Sequence, residues 1–168
     1  MAATGSFEKQ EKFWELVTQF HDCMLVTKDK NTGQLRSRPM APRVSKTRKQ
    51  ILFITEKNSV KTDEIDSCQD VALAFIKAGN WVSVSGKAHI LSDRELVSAI
   101  WDKEMDTWMA QGKDDPNVVV LAVDPQMAEY WDVTANKMTQ AYEFAAARMG
   151  MKERPDVSEN VKVDLEAS

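Results

Sequence analysis

Apolar positions along the chain change period several times, and each change marks an element. Phe7, Phe13, Trp14, Val17 and Phe20 form an irregular apolar stripe among Glu, Lys and Gln, which predicts a helix over Ser6 to Phe20 with Ser6 able to cap it. Such a stripe covers a sheet or the end of a barrel. Met24-Leu25-Val26-Thr27 lies in a first strand, Cys23 to Lys28, and Asp29-Lys30-Asn31-Thr32-Gly33 has turn chemistry. A second strand runs from Gln34 to Val44. After the basic connection Ser45 to Gln50, Ile51-Leu52-Phe53-Ile54-Thr55 is a third strand. Ser59 or Asn58 can cap a short helix beginning near Val60.

Val71 to Ile76 is another strand, and Trp81 to Ile90 alternates cleanly, with Val82, Val84, Gly86, Ala88 and Ile90 on one face. A glycine at an apolar position of a strand marks a bulge, a bend or a close approach. Ser92-Asp93-Arg94-Glu95 is a capping-box pattern, and the helix it opens carries Leu96, Val97, Ile100, Trp101, Met105 and Trp108 in register. Asn117 to Val123 is the most apolar strand. Asp124-Pro125 interrupts it, and Met127 to Val133 continues as a final strand. Thr134 to Met149 reads as a helix stopped by Gly150. From there the chain is polar and contains Pro155, so residues 1–150 are expected to form the domain and 151–168 a polar, loosely ordered tail. This order predicts a mainly β fold with peripheral helices (α+β), a small barrel of about six antiparallel strands. It lacks repeated strand-helix-strand units with a glycine-rich phosphate loop, which disfavours a Rossmann domain.

Composition narrows the function classes. A chain of 168 residues fits one domain with a sizeable core. Its net charge of -4 argues against wholesale nucleic-acid binding while allowing a local basic pocket. Cys23 and Cys68 have no Cys-x-x-Cys partner, and His21 and His89 make no ligand set, so neither a metal site nor a disulfide framework is expected. No signal-peptide pattern and no membrane-length apolar run is visible, so the expected setting is cytoplasmic.

Three stretches carry candidate chemistry. In the second strand Arg36, Arg38 and Met40 share a face, and two guanidiniums there can seat an anion. The alternative is a solvated strand edge. Lys61 falls in the first turn of the short helix, where a cation opposes the helix dipole. A phosphate bound by backbone N–H groups, the Ser59 hydroxyl and the Lys61 ammonium would explain it, and an exposed lysine would equally. Trp108, beside the loop Gln111 to Pro116, either borders a pocket or a partner subunit or packs in the core. No residue stands out as an obligatory general acid or base.

In their order and spacing, these pieces resemble the general stress protein 26 branch of the pyridoxamine 5'-phosphate oxidase-like, FMN-binding split-barrel superfamily, over about Phe13 to Asp132. The segments that carry it are Met24 to Thr27, Arg36-Ser37-Arg38-Pro39-Met40, Leu52-Phe53-Ile54-Thr55, Lys61 to Ile65 and Val82-Ser83-Val84-Ser85-Gly86-Lys87-Ala88. Trp101, Trp108, Gly112 to Pro116 and Glu129-Tyr130-Trp131-Asp132 complete the set. The resemblance implies a homodimer with two flavin sites at its interface. It implies that Arg36, Ser37, Arg38, Pro39 and Met40 line the cofactor, with Phe53, Ile54 and Thr55 on the facing strand. Ser59 and Lys61 would serve the phosphate, and Trp108 the partner-subunit side of the flavin. FMN is the implied cofactor and FAD the alternative, for which the basic loop Lys46 to Lys49 could extend over an adenine. The implied function is a flavin-binding general stress protein, either an oxidoreductase acting on a small molecule, with NAD(P)H a candidate donor, or a non-catalytic flavin carrier or redox sensor. Pyridoxamine-phosphate oxidases carry a richer basic set for their substrate, and Val133 to Lys137 holds no comparable arginine motif, so vitamin B6 oxidation is not the leading expectation.

Overall fold

The computed structural model describes residues 2–77, 79–132, 144–151 and 159–166. Helix α1, Ala2–Val17, starts the chain. It begins before Ser6, which therefore does not cap it, and it ends three residues short of Phe20. Strand β1, Cys23–Lys28, turns every second side chain inward, Cys23, Leu25 and Thr27. The turn that follows is built by Asp29, whose carboxylate accepts from the backbone N–H groups of Asn31 at 2.9 Å and Thr32 at 2.8 Å. Gly33 closes that turn with a φ of 70°.

The expected strand from Gln34 to Val44 is two strands, β2, Leu35–Met40, and β3, Arg43–Ser45. Pro42 cannot donate to a ladder, and the chain breaks there. This break closes the barrel. The hydrogen-bonded order is β2-β1-β5-β6-β7-β4-β3, with β4 at Gln50–Glu56, β5 at Asp70–Lys77, β6 at Asn80–Leu91 and β7 at Val118–Asp132. Strands β2 and β3 stand at opposite ends of that path, yet only Ala41 and Pro42 join them. Two residues span roughly 7 Å, so the sheet must curl until its ends meet.

Gly86 sits where β6 bends. The register between β6 and β7 shifts at Ser85/Gly86, opposite Asp124-Pro125. A Cβ at Gly86 would lie 2.2 Å from the Asp124 carbonyl oxygen, so the expected close approach is between two backbones. Past that point β7 changes neighbours. Val118 to Val123 pair with β4, and Met127 to Asp132 pair with β8, Glu159–Asp164.

Strand β8 corrects the expectation of a polar tail. Val161 and Val163 alternate with polar residues, and their side chains are buried against the core that α1 covers. Two inward valines are a weak signal alone. They become a strand because the second half of β7 offers an open edge.

Among the described residues the buried apolar side chains form two clusters. Phe13, Trp14, Val17 and Phe20 of the N-terminal segment pack with Leu25, Leu73, Phe75, Val82, Val84 and Tyr130. The second cluster lies on the other face of β4. There Leu52 and Ile54 meet Leu96 and Val97 of helix α3, Arg94–Ile100, and Met105 of helix α4, Met105–Trp108. The single helix expected over these residues is therefore broken. Trp101 is extended at ψ 137°, and the Asp102 carboxylate takes the N–H groups of Glu104 and Met105 at 3.0 and 3.2 Å, starting a new helix. The cap of α3 is Asp93, accepting from the Leu96 N–H at 2.9 Å, not Ser92. Of the helix expected over Thr134 to Met149, residues 133–143 lie outside the described residues. Residues 144–148 are helical, and Gly150 follows at φ 73°. The described residues include no helix long and apolar enough to cross a membrane.

Candidate functional site

A cavity of about 300 Å3 opens where the ends of β2 and β4 meet helix α2, Val60–Ser67, and helix α4. Pro39, Met40 and Ala41 form one wall, and Ile54 and Thr55 form the next. Lys61 comes from the first turn of α2. Met105, Trp108 and Met109 supply a soft apolar wall, with the Glu104 and Asp22 carboxylates beside them. Trp108 is 72 % exposed, so it stands at the cavity edge, not in the core.

The β4 side carries two unsatisfied features. Strand β3 pairs only as far as Leu52, so from Phe53 to Glu56 the backbone of β4 has a described neighbour only on its β7 side. Thr55, in that same stretch, is 1 % exposed, and its hydroxyl has no hydrogen-bond partner among the described residues. A buried donor without a partner costs about 1–3 kcal/mol and is rare in native proteins. Both features suit a polar ligand.

Lys61 supplies the charge. Burial pushes its ammonium below the usual lysine value, the Arg38 guanidinium pushes the same way, and the Glu56 carboxylate opposes them. Among the described residues no carboxylate lies within ion-pairing distance of it. The helix start itself is self-contained. The Ser59 N–H donates to the Thr62 hydroxyl oxygen at 3.1 Å, and that hydroxyl donates to the Lys57 carbonyl at 2.6 Å. Ser59 lies at the N-cap, outside the cavity lining.

Arg36 and Arg38 do seat an anion, and it belongs to the protein. Glu64 of α2 is 2 % exposed. Its Oε2 accepts from Arg38 Nη2 at 2.8 Å and from the Thr27 hydroxyl at 2.6 Å, and Arg38 Nη1 donates to the same hydroxyl at 2.5 Å. Arg36 bridges outward, 2.6 Å from Asp29 and 3.6 Å from the other Glu64 oxygen. Backbone N–H donors from Thr32 and Asn31, with Arg36 behind them, hold the Asp29 carboxyl below its ordinary value. Breaking a buried set of this kind by removing one partner costs about 3–5 kcal/mol.

Of the residues expected from the sequence, the structure therefore gathers Pro39, Met40, Ile54, Thr55, Lys61 and Trp108 around one cavity within one chain. Arg38 lies outside the cavity lining, one residue before Pro39, with its guanidinium on Glu64 and Thr27. Arg36 is tied to Asp29 and Glu64, Ser37 is exposed, and the Phe53 side chain is fully buried in the main core. Asp22, Ala41, Glu104, Met105 and Met109 were not anticipated as lining. Met105 and Met109 had a usable signal, their spacing of four residues on a short helix; Asp22 had none. The basic Lys46 to Lys49 loop joins β3 to β4 at the end of β4 away from Thr55. The other chemical groups stand apart. His89 Nδ1 faces an Asp124 oxygen at 3.4 Å, by the Gly86 bend. Burial, with Asp22 adding, pushes the Cys23 thiol up to about 12, which leaves it no thiolate near neutral pH. No cluster of three or more metal-ligating side chains occurs among the described residues.

Comparison with known proteins agrees with this architecture. Protein bli-3 of Neurospora crassa is 34 % identical over 124 residues, covering 67 % of this chain and 59 % of that protein. General stress protein 26 of Bacillus subtilis is 36 % identical over 77 residues, 43 % of this chain and 54 % of that protein. The matches thus span little more than half the length of these relatives. Among solved structures, the general stress FMN/FAD binding protein of Xanthomonas citri superposes with a TM-score of 0.66 at 26 % identity, covering 77 % of this chain and 92 % of that one. The general stress protein 26 of Bacillus anthracis gives 0.65 at 20 % identity, covering 72 % and 92 %, and shares the fold. The family described as Pyridoxamine 5'-phosphate oxidase like matches residues 8–156. The chain belongs to that family, within the general stress protein 26 group of split-barrel proteins.

Proposed function

We propose that the chain binds a flavin mononucleotide in this cavity, with the phosphate toward Lys61 and Arg38 and the ring toward the open edge of β4. One observation carries the reading: the cavity is lined by Lys61, a half-buried ammonium with no carboxylate in ion-pairing distance among the described residues, and by Thr55, whose buried hydroxyl has no hydrogen-bond partner among them. A dianionic phosphate satisfies the first, and the polar rim of the flavin satisfies the second. Met40, Met105, Met109 and Trp108 offer apolar and aromatic contact for a flat ring.

The reading includes a second copy of the chain. The outer face of β1, β5, β6 and β7 carries Met24, Ile76, Trp81 and Met127, each at least 37 % exposed. Pro39, paired with Met24, continues that face into the cavity wall. At about 300 Å3 the cavity is at the small end of the usual ligand-site range. A partner laid on the sheet face would wall its open side and give a homodimer with two sites. A cytoplasmic setting suits two cysteines kept as free thiols.

FMN, when bound, supplies the redox chemistry, and this chain's residues bind and orient it. We assign the protein to flavin-dependent oxidoreductases acting on a small molecule. A second reading, a flavin carrier or redox sensor, is favoured by the cavity lining, which holds no histidine and, besides the Lys61 assigned to the phosphate, only Asp22 and Glu104 as proton-transfer groups.

The test is purification without added ligand, followed by a visible spectrum, mass identification of the released cofactor, and chromatography for the dimer. FMN or FAD bands support the reading. Protein that carries no flavin and takes up none sinks it. Reduction of the bound flavin by NAD(P)H, then multiple turnover of an acceptor, separates the enzyme from the carrier.

A further inference from the structure

Lys61 and Glu64 stand three residues apart on α2, on one side of the helix. They meet different surroundings. Lys61 lines the cavity, whereas Glu64 is 2 % exposed beneath it, against β1 and β2. The carboxylate is held by the Thr27 hydroxyl at 2.6 Å and binds Arg38 Nη2 at 2.8 Å, while Arg38 Nη1 donates to Thr27 at 2.5 Å. A guanidinium has five N–H donors in a fixed plane. Two are committed here, and the plane is fixed by two anchors from two elements. The residue after Arg38 is Pro39, a wall of the cavity, and the Glu64 carboxylate that Arg38 binds is one helical turn from Lys61, with the Arg38 side chain left 22 % exposed.

We propose that Glu64 is a positioning residue for phosphate recognition: with Thr27 it fixes the Arg38 guanidinium so that its free N–H donors meet the same phosphate as the Lys61 ammonium. This rests on the flavin-phosphate reading above. It also explains why a full negative charge is buried beneath an anion site. A bare carboxylate there would repel a phosphate. Bound to Arg38, Thr27 and the more distant Arg36, it works as an anchor for the cations.

Riboflavin carries the ring and ribityl chain of FMN without the phosphate, so the ratio of the two affinities isolates phosphate recognition. Fluorescence-quenching titrations of both ligands, with melting followed by circular dichroism, form the test. Wild type is expected to prefer FMN. Glu64→Ala should lower that preference tenfold or more through FMN alone, with riboflavin affinity changed less than threefold. Glu64→Gln keeps an acceptor for Arg38 and Thr27 and should restore the preference to within threefold of wild type. Equal loss for both ligands would reduce Glu64 to a helix anchor and overturn the proposal. A folded Glu64→Ala protein with unchanged or tighter FMN binding would overturn it as well, since Glu64 would then merely neutralise Arg38. If Glu64→Ala does not fold, Thr27→Val takes its place, with an expected threefold or greater loss of preference; an unchanged ratio there counts against the proposal. Wild type that binds no flavin overturns the function proposed above together with this inference. Wild type that prefers FMN beside variants that keep that preference overturns this inference alone.

Discussion

Gly86 and Asp124 meet backbone to backbone: a Cβ on Gly86 would stand 2.2 Å from the Asp124 carbonyl oxygen. The contact lies at the register shift between β6 and β7, where β7 passes from β4 to β8. Neither backbone can yield without unpairing two long strands. Gly86→Ala should therefore destabilise the protein by an amount near the top of the range of about 1–3 kcal/mol for overpacking. Urea unfolding of the two proteins checks this, and an unchanged midpoint would show that the bend tolerates a side chain.

Thr55 gives a prediction of opposite sign in the free and bound protein. Its hydroxyl is buried without a partner among the described residues, so Thr55→Val removes an unsatisfied group and should leave the ligand-free protein as stable or more stable. The same variant should bind flavin more weakly. Melting temperatures with and without FMN measure both effects. A variant that is less stable when free would place the Thr55 hydroxyl in a bond within the protein.

Lys61 predicts a pH dependence. Burial first, then Arg38, lowers its ammonium below 10.5 in the folded protein. The folded, ligand-free state thus binds this proton less tightly than the unfolded chain, and stability from this group rises as pH increases through the folded value. Phosphate binding needs the charged form, so FMN affinity should fall as pH rises, beginning below 10.5. Lys61→Met should weaken FMN by about 1.5–3 kcal/mol near pH 7 and flatten that alkaline decline, leaving the free protein no less stable. Titrations from pH 7 to alkaline values test it; an alkaline decline that persists in Lys61→Met must come from another group.

Val163 tests whether β8 belongs to the folded domain. Its side chain is 2 % exposed in the main core. Val163→Ala removes two carbons and should cost about 1.6 kcal/mol from transfer alone. Changing the neighbouring Lys162, which is exposed, to Ala should cost far less. Equal, negligible effects in thermal unfolding would return this segment to the status of a tail.

Some of this was written locally in the chain. The alternation from Val82 to Ile90 set a strand, and the glycine interrupting it marked a close approach that Asp124 supplies. Period-2 and helical patterns are local, so one sequence displays them. Lys61 was legible for the same reason: a cation in the first turn of a helix is unfavourable wherever the helix lies. Arg36 and Arg38 were legible as an anion seat, but their anion was not. Glu64 is 26 residues beyond Arg38 on another element, and only the packing of α2 against β1 and β2 brings its carboxylate to the guanidinium.

The sequence by itself determined the strands at Cys23–Lys28, Gln50–Glu56, Asp70–Lys77 and Asn80–Leu91 and the short helix after Ser59, and that arginines, a lysine and a tryptophan were available for a flat anionic ligand. Tertiary structure alone decided the rest. It closed the barrel across Ala41 and Pro42, recruited Val161 and Val163 to an open edge of β7, and tied Arg36 to Asp29 and Glu64. It also brought Thr55 and Lys61 to one cavity. The physical reason is common to these cases. Side-chain periodicity is fixed by backbone geometry, which is local, whereas the partner of an edge, a charge or a hydroxyl is whichever group folding carries within reach.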